Sequence, residues 1–233
     1  MANFTTHLKI AALASSTLAL TASGAGLIAV NDIIEFIILG TVGGLLPDID
    51  ASNSKPVRLL FTALGVIASV NILRLLHQQL PVYQIVFIAG GAFLMVRYLI
   101  LALFNRLTVH RGVFHSILAA LFFGLAAVCL SYYILHCKVL NAWLGGIFIT
   151  LGYCVHLILD ECYSVDLLNR RIKKSFGTAL KLWHYKNNTG SLLMALATVA
   201  LYSVSPSVQP LIHAYQRSAI PTILTDLLKI ITV

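Results

Sequence analysis

Long apolar runs separated by short polar or basic breaks organise the chain. Uncharged or nearly uncharged stretches fall at residues 10–31, 33–47, 59–73, 82–104, 116–135, 139–159 and 189–212. A helix that crosses about 30 Å of hydrocarbon needs roughly 20 apolar residues, so the first run and the last four are long enough alone. The runs at 33–47 and 59–73 are shorter and carry Glu35 and Asn71; they are expected to be tilted partners inside a bundle. The pattern therefore predicts an all-α fold, a polytopic membrane helix bundle with six to seven transmembrane spans. One membrane-embedded domain is expected over 1–215, with a basic segment at 161–188 inside it and a tail at 216–233. Within that segment "DLLNRRIKKSFGTALKLWHY" mixes apolar and basic residues as a helix lying in a membrane interface does.

Composition agrees with the pattern. The chain is 59% hydrophobic and 10% charged, with a mean hydropathy of +0.90. A soluble protein of this size needs more surface charge than 16 Lys+Arg and 8 Asp+Glu supply. The formal charge of +8 is scattered between apolar runs rather than gathered on one polar domain, and reads better as a topology signal than as a nucleic-acid face, which only the stretch from Arg170 to Lys186 approaches. With the N-terminus in the cytoplasm, Lys9, Lys55, Arg58, Arg106, Arg111 and the cluster Arg170, Arg171, Lys173, Lys174, Lys181 and Lys186 share that side; Arg74 and Lys138 fall opposite. The first run is long for the apolar region of a signal peptide and is expected to stay as a span. Cys129, Cys137, Cys154 and Cys162 show no CxxC spacing, so neither a disulfide framework nor a thiolate zinc site is expected.

Acids are scarce enough to follow one by one, and their neighbours carry the candidate chemistry. In "GGLLPDID" (43–50), Pro47 stops a helix, and Asp48 and Asp50 point to one side of an extended turn. Two such carboxylates repel unless a cation lies between them; the plainer alternative is a solvated helix-end loop. In "HRGVFHS" (110–116), His110 and His115 flank a glycine turn and could converge on one ion, or simply sit at the interface. In "GYCVHLILD" (152–160), His156 and Asp160 are four apart and share a helix face, near the end of an apolar run where an unpaired ionisable group is costly. His7 starts the first span. On the expected topology all seven residues reach the cytoplasmic edge from four separate segments. A transporter would instead place its ionisable groups near the bilayer midplane.

These motifs, in this order and with a histidine near the N-terminus, resemble the YdjM family of bacterial inner-membrane proteins, described as membrane-bound metal-dependent hydrolases. The resemblance runs from about residue 7 to at least residue 186. The order His, PD, HS, HxxxD is also distantly similar to the zinc-dependent phospholipase C group. Where many relatives follow HxxxD with a Gly and Pro turn, this chain continues "ECYSVDLLNRR".

The expectation is a hydrolase in the bacterial inner membrane, its site facing the cytoplasm and acting on a phosphoester or lipid-like substrate. His7, Asp48, Asp50, His110, His115, His156 and Asp160 would ligate one or two divalent ions, zinc by preference. Asp48, Asp50 or Asp160 would serve as general base. The lipid bilayer is the expected partner and nucleic acid is not. The rival reading is a non-catalytic integral membrane protein with a structural metal site. Oligomeric state is not readable from the sequence.

Overall fold

The computed structural model describes residues 3–50, 55–107, 113–163, 165–166, 171–172, 181–182, 187–222 and 225. Nearly all of these are helical: α1 (Phe4–Gly24), α2 (Ile33–Gly43), α3 (Lys55–Leu76), α4 (Val82–Leu94), α5 (Leu101–Leu107), α6 (Ile117–Cys129), α7 (Val139–Cys162), α8 (Asn188–Val204) and α9 (Gln209–Arg217). One π-helical turn, Met95–Ile100, joins α4 to α5, and another, Leu130–Ile134, extends α6. A two-residue antiparallel pair, β1 (Val165–Asp166) with β2 (Arg171–Ile172), is the extended exception. Most of the basic segment 161–188 lies outside the described residues.

Local chemistry sets the helix starts. Asn3 Oδ1 accepts from Thr6 N at 2.8 Å, Ser116 Oγ from Ala119 N at 3.2 Å, and Asn187 Oδ1 from Gly190 N at 2.9 Å. Each cap satisfies an orphan N–H of the first turn. Hydroxyls inside the apolar helices turn back on their own backbone: Thr17 to Leu13 O, Thr62 to Arg58 O and Thr198 to Met194 O, at 3.0, 2.7 and 2.7 Å. That bond lets a polar residue sit in hydrocarbon without an unsatisfied donor.

Four helical stretches are long and apolar enough to span: Val57–Leu76, Val82–Phe104, Ile117–Ile134 and Val139–Cys162. A fifth is reached if α8 and α9, bent by 76° at their junction, count as one broken span. Six to seven spans are therefore not reached among the described residues. The difference lies in the first two runs. α1 has 21 residues, enough for about 31 Å, but its threonines, serines, His7 and Lys9 dilute its apolarity. α2 has 11 residues, about half a bilayer's depth. The run at 59–73 belongs to a 20-residue span instead.

The described chain divides into two compact units, Met1–Leu45 with His115–Val233, and Leu46–Phe114. The first is organised on α7, 56% of whose most apolar window is buried. Its core joins Ala19, Ala22, Ile28, Phe36, Leu144 and Phe148, with the Phe36 and Phe148 rings 5.2 Å apart. Glycines bring α2 against α7: a Cβ on Gly43 would strike the backbone of Ile149, and one on Gly152 the carbonyl of Gly40. α6 meets α7 the same way, since a Cβ on Gly146 would come within 2.7 Å of Gly124 O. Small residues thus allow backbone-to-backbone contact where lipid supplies no hydrophobic drive between helices.

The second unit is a helical hairpin. α3 and α4 pack through Phe93, whose ring would sit 2.9 Å from a Cβ on Gly65, and through Ser69 Oγ, 2.8 Å from Ala89 O. Phe61 and Phe104 stand 5.3 Å apart, and Phe104 and Phe114 5.8 Å.

Candidate metal centre

The glycine contacts of the first unit determine where its few ionisable side chains meet. The buried stripe of α1 is His7, Ala11, Ser15, Ala19 and Ala22, spaced by fours and a three, so His7 lies on the face packed inward. His156 and Asp160 share one face of α7 near its end, and His115 directly precedes Ser116, the cap of α6. All four are deeply buried: His7 is 3% exposed, His115 6%, His156 1% and Asp160 5%. At that depth each needs a partner for its polar atoms.

Asp160 is the hub. His7 Nε2 stands 3.3 Å from its Oδ1, and His156 Nε2 and His115 Nε2 stand 3.7 and 3.9 Å from its Oδ2. The His7 and His156 rings stack at 3.7 Å with 12° between planes, and His115 meets His156 edge-on at 6.0 Å. His156 Nδ1 lies 2.7 Å from the carbonyl oxygen of Gly44. A carbonyl only accepts, so Nδ1 carries the proton and Nε2 of a neutral ring presents its lone pair toward the Asp160 carboxylate. A lone pair facing a carboxylate oxygen is repulsive unless a cation or a proton lies between them.

The donor set fits a divalent ion. Ligand atoms of His7, His156 and Asp160 all lie within 4.8 Å of one another. Two ligands held about 2.0 Å from a tetrahedral ion stand about 3.3 Å apart, close to the shortest separations in the cluster. Among the described residues His7 Nδ1 has no hydrogen-bond partner, and Asp160 Oδ1 meets only the His7 ring at 3.3 Å. The backbone carbonyl that orients His156 is the outer-sphere support typical of metal-bound imidazole.

Of the residues singled out from the sequence, His7, His115, His156 and Asp160 are brought together. Asp48 lies partly buried in the 3-10 turn Leu46–Asp50, in the second unit, and the side chain of Asp50 is outside the described residues. His110 also lies outside them. Gly44 is the member that sequence reasoning missed. "GG" before Pro47 signals close helix approach, but nothing in it says that the freed carbonyl accepts from a histidine 112 residues on.

Helices long and apolar enough to span, together with a buried imidazole–carboxylate cluster in the first unit, define an integral membrane protein with a candidate metal centre. The chain belongs to the YdjM inner membrane protein family, whose family model matches residues 1–210. No curated protein and no solved structure matches it.

Proposed function

We propose that the chain is a membrane-bound, metal-dependent hydrolase acting at the cytoplasmic face on a phosphoester or lipid-like substrate. The observation that carries the proposal is the convergence of His7, His115 and His156 on one buried carboxylate, Asp160. His7, His156 and Asp160 would hold a divalent ion, zinc by the chemistry of an imidazole–carboxylate set without sulfur, with His115 beside them. Asp48, Asp50 and His110 enter as further ligands, and one of the carboxylates as the base, on the sequence alone. A bound zinc supplies Lewis acidity and lowers the pKa of a coordinated water to about 7. The protein's own part is to hold His156 in one tautomer through Gly44 and to keep three imidazoles turned toward Asp160. The basic residues near these segments support a site at the cytoplasmic edge, by the charge rule for loops.

Depth of burial favours a second reading, a structural metal with a closed shell, because catalytic sites keep one coordination position open. One series separates them. Purified protein is expected to carry stoichiometric metal that Asp160→Asn and His156→Ala each lower at least roughly tenfold, as expected for lost first ligands. A screen of phosphoester lipids then reads activity. Metal with no turnover, and no exchangeable water on a cobalt-substituted centre, establishes the structural reading. Full metal retained in both variants overturns both.

A further inference from the structure

At the other end of α1 and α7 from His7 and Asp160, a cavity of about 620 Å³ opens among Leu18 and Ala22 of α1, Leu144 and Leu151 of α7, and Ile212 and Tyr215 of α9. Its lining is almost wholly carbon. The hydroxyl of Thr21 on its wall donates to Thr17 O and Leu18 O at 3.0 and 2.9 Å and so offers nothing inward. Water at about 30 Å³ per molecule would need roughly 20 molecules to fill such a volume, with almost no protein partners. The cavity is partly open to its surroundings, so within a bilayer its apolar lining meets acyl chains rather than water.

The roof of the cavity indicates the occupant. α9 turns 76° away from α8 after Pro206, whose carbonyl accepts from Trp143 Nε1 at 3.1 Å, and Ala219 N then donates to Ala25 O at 3.0 Å. The short helix is thereby pinned across the ends of α1 and α7. Leu211, Ile212 and Tyr215 of α9 line the cavity, the last two while still 39% and 41% exposed, and His213, Gln216 and Arg217 of the same helix are exposed as well. An amphipathic helix so arranged lies in a membrane interface, apolar face toward acyl chains and cationic side chain among headgroup phosphates.

We propose that this cavity is a binding site for one acyl chain of an anionic glycerophospholipid, with Arg217 facing the headgroup phosphate. The site is separate from the His–Asp centre and does not depend on the function assigned to that centre.

The test is lipid bound per chain. Full-length protein is purified in mild detergent, washed free of loose lipid, reloaded with dioleoyl phosphatidylglycerol, and analysed by phosphorus assay and native mass spectrometry. About one tightly held phospholipid per chain is expected, the capacity of a single pocket of this size. Leu151→Trp, which fills the cavity from its exposed side, and Ile212→Asp, which places a charge in its roof, should each reduce retention roughly tenfold. Helical circular dichroism and metal content should stay unchanged. Wild-type protein that holds no lipid after reloading, or equal retention in both variants, overturns the proposal. So does lipid that is held only after deletion of residues 223–233, since the chain's own apolar end would then be the occupant.

Discussion

The two compact units use the same apolar residues in opposite ways. In the first, α2, α6 and α7 meet backbone to backbone through Gly40, Gly43, Gly124, Gly146 and Gly152. In the second, α3 and α4 meet through Phe93 and one hydroxyl, and their large side chains face outward; Phe87 is 83% exposed and Val82 77%. Between the most apolar windows, 56% of that in α7 is buried against 11% in α3. Outward-facing aromatics and aliphatics belong in a lipid solvent and need no protein partner. The lesson is that close glycine packing is what admits polar chemistry: Gly44 O reaches His156 Nδ1 because Gly152 of α7 has no side chain to strike the backbone of Gly40 and Gly44, and Gly44 none to strike Ala11 of α1.

Three substitutions put that contrast to the test. Gly152→Ala should have the largest effect, because its Cβ would strike the carbonyl of Gly40. A loss of about 3 kcal/mol is expected in reversible unfolding from mixed micelles, the upper range for overpacking. Metal content should fall with it as the Gly44–His156 bond is displaced. A change of under about 0.5 kcal/mol would mean that the α2–α7 spacing yields freely, and the contrast would collapse.

Ser69→Ala is expected to cost the second unit about 0.6 kcal/mol, the typical worth of an interhelical hydrogen bond in a membrane. A cost of several kcal/mol would reveal that the hairpin depends on its polar contact as heavily as the first unit depends on its glycines. The smallest effect should come from Gly90→Ala. Nothing lies within 4 Å of the added Cβ, so the gain in helix propensity should leave stability unchanged or raised by up to about 1 kcal/mol. Clear destabilisation of this variant would reveal a partner packed on α4.

Much of this architecture is written in the one-dimensional pattern. Apolar runs mark the helices at 82–104, 116–135 and 139–159 to within a few residues, because a window of roughly 20 apolar residues is itself the energetic requirement for spanning. The i, i+4 spacing of His156 and Asp160 is enough to put both on one helix face. α1 misleads in a physical way. Its run looks continuous when charges alone are counted, yet its serines and threonines lower its apolarity while its small size suits it to pack against neighbours.

The sequence by itself determined a helical membrane protein of the YdjM family, and a short set of ionisable residues too costly to bury without partners. It did not determine which of them meet. His7 and His156 are separated by most of the chain, and their stacking at 3.7 Å depends on how closely α1 and α7 approach. Only the tertiary structure decides that distance, as it decides the division into two units and the cavity beneath α9. The physical reason is that a residue's affinity for lipid is a local property. The gap between two helices, by contrast, is set jointly by the small residues on both, and no single stretch of sequence contains both faces.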